Sequence, residues 1–280
     1  MKIDAHHHLW QVARGDYDWM PKDIAVLNRT YVPDDLVPAL ARAGVDGTVL
    51  VQAAASVHET EYMLGLADAT PWIKGVVGWI DFADQSHRAH LDRFAAHPKF
   101  CGVRPMIQDI PDMDWMLRSD VQWAYEALIE LDLTFDALGF PQHIDNFLTL
   151  AQRYPQMRVV FDHCMKPQIH EQRAGNDAST AWAQGMARLA DQTEGCVKFS
   201  ALLTEAGEGA RIDDVRPFAA HVLDCFGADR VMWGSDWPVC RLRSEYDAWH
   251  AMAQTLTQDL SDAGRAAVFG GTAARFYSLG

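Results

Sequence analysis

Three histidines and an aspartate stand close together near the start of the chain, in the segment Ile3-Asp4-Ala5-His6-His7-His8. Alternate side chains of a β-strand share one face, so His6 and His8 are predicted to point to the same spot. A neutral imidazole binds metal ions and moves protons at pH 7, so a convergent pair suits a metal site or an activated water. A leftover purification tag is one alternative, which the strand-like flanks disfavour. A buried histidine pair without a ligand is another.

Other side chains that could do chemistry follow short apolar runs, where each run ends: Arg104, Asp136, His163, Lys198, Ser200 and Asp236. Burying such groups is costly unless they are paired, solvated or bound to a ligand, so a shared polar cavity explains the set. Each also has a structural alternative. Asp236 can cap a helix, Arg104 can form an ion pair at a strand end, and His163 can be a hydrogen-bonded core residue. Asp162 and Lys198 are equally explained as a structural ion pair.

These residues need a scaffold, and β-branched runs that alternate with amphipathic helical stretches predict repeated βα units with a parallel sheet. Eight runs are predicted as strands, the number in an α/β (β/α)8 TIM barrel, and 280 residues suit a single such domain over 1–280. The predicted strands are Lys2–His6, Thr48–Gln52, Gly75–Ile80, Gly102–Met106, Thr134–Ala137, Arg158–Asp162, Val197–Ala201 and Arg230–Gly234. The predicted helices are Asp34–Arg42, Glu59–Ala69, Ser86–Ala96, Val121–Leu131, Ile144–Arg153, Thr180–Gln192 and Val215–Phe226.

In such a barrel the catalytic groups come from the carboxyl ends of the strands, where the polar residues above are placed. Two long loops are expected to border that end. The aromatic-rich stretch Trp10–Pro33 is predicted as a lid or pocket wall. The stretch Pro167–Ser179, which holds His170, Arg173 and Asn176, is a second such loop.

Composition narrows the possible partners and compartments. The formal net charge of −14 argues against nucleic acid and anionic membranes, which both need basic patches. No apolar stretch approaches the ~20 residues of a membrane span, and no signal peptide follows Met1, so a soluble cytoplasmic protein is expected. The five cysteines include no Cys-x-x-Cys pair, which predicts free thiols in a reducing compartment.

Five motifs spread over nearly the whole chain match a known family: Ile3-Asp4-Ala5-His6-His7-His8-Leu9-Trp10, Gly102-Val103-Arg104, Phe161-Asp162-His163-Cys164-Met165-Lys166-Pro167, Val197-Lys198-Phe199-Ser200-Ala201-Leu202 and Met232-Trp233-Gly234-Ser235-Asp236-Trp237-Pro238. With them the chain resembles the amidohydrolase superfamily in its amidohydrolase 2 branch of TIM-barrel hydrolases. It is most similar there to sugar-lactone hydrolases of the L-fuconolactonase and L-rhamnonolactonase kind. The resemblance implies hydrolysis of an aldonolactone in bacterial sugar catabolism, such as that of L-fucose.

The chain departs from the superfamily's two-metal pattern, in which the fourth strand carries a lysine and the fifth a histidine. Arg104 and Asp136 stand at those places here, so two metals are not expected. One divalent metal, with Zn²⁺ as the first choice, would be held by His6, His8 and Asp236, with His163 or water completing the site. Lactonases of this branch also work without metal, and that alternative stays open.

Lactone hydrolysis needs a base, an activated water, stabilisation of the oxyanion and a proton for the leaving alcohol. Asp236 is the predicted base, His6 and His8 position the water or bind the metal, and Arg104 or His163 stabilises the oxyanion. The predicted substrate-binding residues are Trp10, Gln52, Asp136, Lys166, Ser200, Trp237 and Arg241, with Trp79 as a further aromatic candidate.

Two other functions compete with the lactonase. The first is a metal-dependent decarboxylase of an aromatic or unsaturated acid, and the second is a non-catalytic sugar-acid binding protein. Cys164 beside His163 is disfavoured as a nucleophile, because adjacent strand residues face opposite sides. A small-molecule sugar lactone is the expected partner, and a homo-oligomer is left open.

Overall fold

A sheet of eight parallel strands forms the centre of the computed structural model, which describes residues 1–176 and 179–280. The strands neighbour one another in chain order. They are β1 Ile3–His7, β2 Gly47–Val51, β3 Ile73–Gly78, β4 Phe100–Val103, β5 Thr134–Ala137, β6 Arg158–Phe161, β7 Cys196–Phe199 and β8 Val231–Trp233. The prediction of a (β/α)8 barrel is therefore confirmed.

The barrel closes where the residues after β8 meet β1. The backbone N–H of Asp236 donates to the carbonyl of His6 at 2.8 Å, and the N–H of His8 donates to the carbonyl of Trp237 at 2.7 Å. Gly234 permits this approach, because a Cβ at that position would lie 2.8 Å from the Cβ of His6. The closure therefore places His6 and His8, near the start of the chain, beside Asp236, near its end.

Helices follow most of the strands and cover the outside of the barrel. The α-helices in the described residues are α1 Pro33–Ala43, α2 Val57–Ala69, α3 Arg88–Ala95, α4 Gln122–Glu130, α5 Ile144–Arg153, α6 Ile169–Arg173, α7 Ser179–Gln192, α8 Leu202–Ala206, α9 Ile212–Phe226, α10 Tyr246–Leu256, α11 Asp262–Ala266 and α12 Thr272–Phe276. All seven predicted helices are present within a few residues at each end. The short helices and those after β8 were not predicted.

Most strands end one to three residues earlier than predicted, and β4 differs most. β4 stops at Val103, whereas the sequence pattern extended it to Met106. The N–H of Arg104 still bonds the carbonyl of Gly78 at 2.9 Å, but Pro105 has no N–H with which to continue the ladder. The Arg104 side chain therefore stands directly at the carboxyl end of the strand.

The loop predicted over Pro167–Ser179 contains helix α6, and its residues 177 and 178 lie outside the described part of the chain. All five cysteines are free thiols, as predicted. Among the described helices, none combines the length and the apolar character that crossing a bilayer requires.

Candidate active site

The carboxylate of Asp236 is the meeting point of three imidazoles. Its Oδ1 lies 3.3 Å from Nε2 of His8, 3.8 Å from Nε2 of His6 and 3.9 Å from Nε2 of His163. All four side chains are almost completely buried. The predicted convergence of His6 and His8 is present, and the fold adds His163 from the end of β6.

A directional chain of hydrogen bonds orients His6, in β1, and His8, directly after it. Nδ1 of His8 lies 2.8 Å from the carbonyl of Val51, which can only accept, so a neutral His8 has its proton on Nδ1. Nδ1 of His6 lies 3.0 Å from the Lys198 ammonium, which can only donate, so a neutral His6 has its proton on Nε2. That proton points to Nε2 of His8 at 3.2 Å. Burial and the nearby Lys198 hold the pKa of His6 well below its usual range, so the ring is neutral.

Lys198 lies beneath these histidines in a fully buried ion-pair network. Its Nζ is 2.5 Å from Oδ2 of Asp136 and 3.1 Å from Oδ1 of Asp162. Oδ2 of Asp136 also accepts from the hydroxyl of Tyr277 at 2.8 Å. The structural reading of Asp162 and Lys198 therefore matches their positions. Asp136, predicted to bind substrate, lies under the site instead, because Lys198 draws it into this network.

The Arg104 guanidinium is held on two sides. Nη2 donates to the carbonyl of Gln52 at 2.5 Å, and Nη1 donates to Oδ2 of Asp162 at 3.2 Å. Burial alone would raise the pKa of Asp162, but Lys198, His6 and Arg104 outweigh it and keep that pKa well below its usual range. Nε of Arg104 is buried and has no hydrogen-bond partner among the described residues.

A left-handed turn carries His163 into the site. The four residues from His163 to Lys166 all have φ between 47° and 57°, and none is glycine. Each such residue costs roughly 1–2 kcal/mol, so packing elsewhere must maintain this backbone. Ser200, at the end of β7, bonds Nδ1 of His163 at 2.8 Å and orients the ring. Burial lowers the pKa of His163 to about 4, which leaves it neutral at pH 7.

Asp236 is ionised at neutral pH. Burial raises its pKa, but the neighbouring His163, His8 and Lys166 together outweigh burial and bring the pKa below the ordinary aspartate value. Asp236 itself has φ 56°, so its backbone too is in the left-handed region. The site thus presents an unprotonated carboxylate beside the neutral rings of His6 and His163.

These groups face a cavity of about 410 Å³ at the carboxyl end of the barrel. His8, Arg104, His163 and Asp236 form part of its wall. The rest of the lining consists of Trp10, Trp19, Pro21, Leu27, Ala53, Met106, Gln108, Asp109, Leu138, Lys166, Val239 and Leu242. The stretch Trp10–Pro33 therefore forms a wall of the cavity. A larger groove of about 840 Å³, beside Lys2 and Arg275, contains none of the site's groups.

Family membership follows from comparison with known proteins. The model of the amidohydrolase family (Amidohydro_2) matches residues 3–279. The chain belongs to the amidohydrolase family. An L-fucono-1,5-lactonase of Burkholderia ambifaria is 42% identical to this amidohydrolase over 99% of the chain and 96% of the relative. A second L-fucono-1,5-lactonase, of Burkholderia multivorans, is 33% identical over 100% of the chain and 96% of the relative.

Solved structures of amidohydrolases agree with this fold over their full lengths. A Burkholderia multivorans amidohydrolase with bound HEPES superposes with a TM-score of 0.95 at 32% identity, and both chains are covered completely. A structure of a Burkholderia multivorans amidohydrolase with bound zinc superposes at 0.93 with 33% identity and the same coverage.

Two of the predicted substrate-binding residues of this amidohydrolase, Trp10 and Lys166, line the cavity. Lys166 donates to Oε1 of Gln108 at 2.5 Å, so the two form a polar pair on the wall. Gln108 and Asp109 were not predicted. Trp19 lies within the predicted lid, whereas the residues after Pro105 carry no local signal of a ligand contact.

The other predicted substrate-binding residues stand behind the wall; in the described part of the chain the cavity is not lined by Gln52, Trp79, Ser200, Trp237 or Arg241. Gln52 and Ser200 bond Arg104 and His163 respectively, so they orient the site. Arg241 donates to the hydroxyl of Tyr31 at 3.1 Å, and the ring of Trp237 packs against the same tyrosine.

The donor atoms of the amidohydrolase's site fit one divalent metal ion. His6, His163 and Asp236 offer ligand atoms within 4.8 Å of one another, and Nε2 of His8 is as near to Asp236 as any of them. Imidazole nitrogens with a carboxylate oxygen form a normal zinc ligand set. His6 can take part only if its proton moves from Nε2 to Nδ1, where Lys198 now donates. Three ligands, His8, His163 and Asp236, need no such change.

Proposed function

We propose that this protein hydrolyses a sugar lactone, with L-fucono-1,5-lactone as the first candidate substrate. The observation that carries the proposal is an ionised Asp236 that shares a 410 Å³ cavity with the Arg104 guanidinium. A base beside a cationic hydrogen-bond donor is what water attack on an ester-like carbonyl requires. The two full-length relatives named L-fucono-1,5-lactonase support the choice of substrate.

Asp236 acts as the base in the first step. A water between the carboxylate and the lactone gives a proton to Asp236 while its oxygen bonds the carbonyl carbon. The carbonyl electron pair moves onto its oxygen, and the guanidinium of Arg104, which lines the cavity, is the donor proposed for that oxyanion. His8 and the neutral His163 lie beside this carboxylate, and both rings line the cavity in which the water is placed.

Collapse of the tetrahedral intermediate completes the reaction. The oxyanion re-forms the carbonyl, the bond between the carbonyl carbon and the ring oxygen breaks, and protonated Asp236 returns its proton to that oxygen. The product is a hydroxy acid, which releases a proton at neutral pH. Trp10, Lys166 and Gln108 are the wall residues proposed to contact the polyol chain.

Zn²⁺ is the metal proposed for the site, with His8, His163 and Asp236 as ligands and His6 as a fourth. When bound, such an ion polarises the carbonyl or lowers the pKa of a water. The hydrogen-bond chain from Lys198 through His6 to His8 forms without a metal, and the proposal keeps metal-independent hydrolysis as an arm of the test.

The test is acid release from aldono-1,4- and 1,5-lactones, followed with a pH indicator on metal-stripped and on zinc-supplemented protein. Turnover of one stereochemical series in either arm supports the proposal, and the comparison of arms shows what zinc adds. If neither the metal-stripped nor the zinc-supplemented protein releases acid from any lactone, the proposal is refuted. Release of CO₂ from an aromatic acid would then favour the decarboxylase, and lactone-induced thermal stabilisation without acid would favour a binding protein. A cytoplasmic location and a homo-oligomer stay predictions.

A further inference from the structure

Three consecutive backbone carbonyls at the end of β2 orient three different side chains of the site. The carbonyl of Val51 accepts from Nδ1 of His8 at 2.8 Å, and that of Gln52 accepts from Nη2 of Arg104 at 2.5 Å. The next carbonyl, of Ala53, accepts from Nε1 of Trp19 at 2.6 Å. The backbone of residues 51–53 therefore orients His8 and Arg104, which belong to the proposed chemistry, and Trp19, which belongs to the cavity wall.

That piece of backbone is anchored by a carboxyl group outside the site. Glu59 lies in the first turn of α2 and is completely buried. Its Oε2 accepts from the N–H of Ala53 at 3.0 Å and from the N–H of Ala54 at 2.7 Å, and its Oε1 accepts from the N–H of Ala53 at 3.1 Å. The strand has ended here, so Glu59 takes the place of a ladder partner for these two amides.

We propose that Glu59 is a positioning residue for the lactonase site, acting through Ala53 and Ala54 on His8, Arg104 and Trp19. Loss of its acceptors leaves two buried N–H groups without a partner, and the segment must move to find water or another acceptor. The carbonyls of Val51, Gln52 and Ala53 move with it. A displacement of about 1 Å at a catalytic group can cost on the order of 100-fold in rate.

The experiment compares three variants with the wild type, and its kinetic part rests on the proposed lactonase function. E59L removes both acceptors, and E59Q keeps one of the two oxygens. T60V is the matched control, because the neighbouring Thr60 is also buried and its Oγ1 bonds the backbone of Trp79, which does not line the described cavity. We expect E59L to lower kcat about tenfold or more and to raise KM. E59Q should fall between E59L and wild type, and T60V should keep both constants within about twofold.

A double-mutant cycle separates positioning from general damage to the fold. W19F removes the donor to Ala53 and should raise KM in the wild type but much less in E59L, since the contact is already lost there. Matched melting temperatures of E59L and T60V, with loss of activity in E59L alone, would support the proposal. A folded E59L with wild-type kcat and KM would overturn it, and if E59L does not fold, wild-type constants in E59Q would do so.

Amide hydrogen exchange provides a readout that needs no turnover. The backbone N–H groups of Ala53 and Ala54 should exchange faster in E59L than in T60V, because only E59L removes their acceptor. A wild type that hydrolyses no lactone would refute the proposed function alone. Unchanged exchange at these two amides would refute the anchoring role of Glu59 alone.

Discussion

Nε2 of His8 lies 3.3 Å from Oδ1 of Asp236, although the two residues come from opposite ends of the barrel sequence. The contact exists because the residues after β8 bond the backbone of β1 at His6 and His8. The same junction that closes the barrel therefore assembles the carboxylate and the imidazoles. The integrity of the site and the closure of the sheet depend on the same few residues.

Replacement of Asp236 by asparagine should remove most of the activity. D236N keeps the size of the side chain and one oxygen near the imidazoles but cannot take a proton from water. We expect kcat to fall by about 100-fold or more, within the usual range for loss of a general base. Steady-state kinetics on the preferred lactone measure this, with the exposed Asp84→Asn as control. A D236N protein with kcat within tenfold of wild type would exclude Asp236 as the base.

The pH dependence of kcat/KM should show a single acid limb below the ordinary pKa of an aspartate. Asp236 works unprotonated and its pKa is lowered, so activity is retained at neutral pH and lost only as pH falls through that pKa. K166M removes a positive charge that lowers this pKa, and the limb should move to higher pH. Rates are taken after subtraction of spontaneous hydrolysis, and K74M removes the same charge far from the site. A limb that stays in place or moves down in K166M would contradict this account.

Zinc binding should depend on His8 and not on its neighbour. His8 points its Nε2 at Asp236, whereas Nε2 of His7 bonds Thr48 at 2.8 Å on the other side of the strand. Loss of one of three or four ligands should weaken zinc binding at least about tenfold in H8Q and leave H7Q close to wild type. Titration calorimetry of metal-stripped protein measures both. Equal zinc affinity of H8Q and wild type would place any metal elsewhere.

In the left-handed turn after β6, glycine should stabilise the protein more than alanine does, which is the reverse of their usual order. Cys164 is buried with φ 51°, and both C164A and C164G remove its sulfur. Glycine normally destabilises relative to alanine, but in the left-handed region alanine has the steric cost, about 1 kcal/mol. We therefore expect C164G to have the higher free energy of unfolding in urea. C164A more stable than C164G would show that this backbone is not held as described.

Local patterns predicted most of the scaffold and part of the site. The β-branched runs located all eight strands, and the period of two along β1 predicted that His6 and His8 converge. These features are encoded within a few residues, because the alternation of side chains is a property of the strand itself. Arg104, His163 and Asp236 could be proposed because each lies within three residues of the end of an apolar run.

The tertiary structure alone decided which polar residues face the cavity and which lie beneath it. Arg104 follows β4 and Asp136 lies within the neighbouring β5, yet Asp136 forms a buried ion pair with Lys198 whereas Arg104 lines the cavity. The left-handed turn from His163 to Lys166 contains no glycine, so the sequence gives no local signal of it. Glu59 resembles any first-turn glutamate until its amide partners are known. Pairings between distant strands depend on barrel closure, which local sequence does not encode.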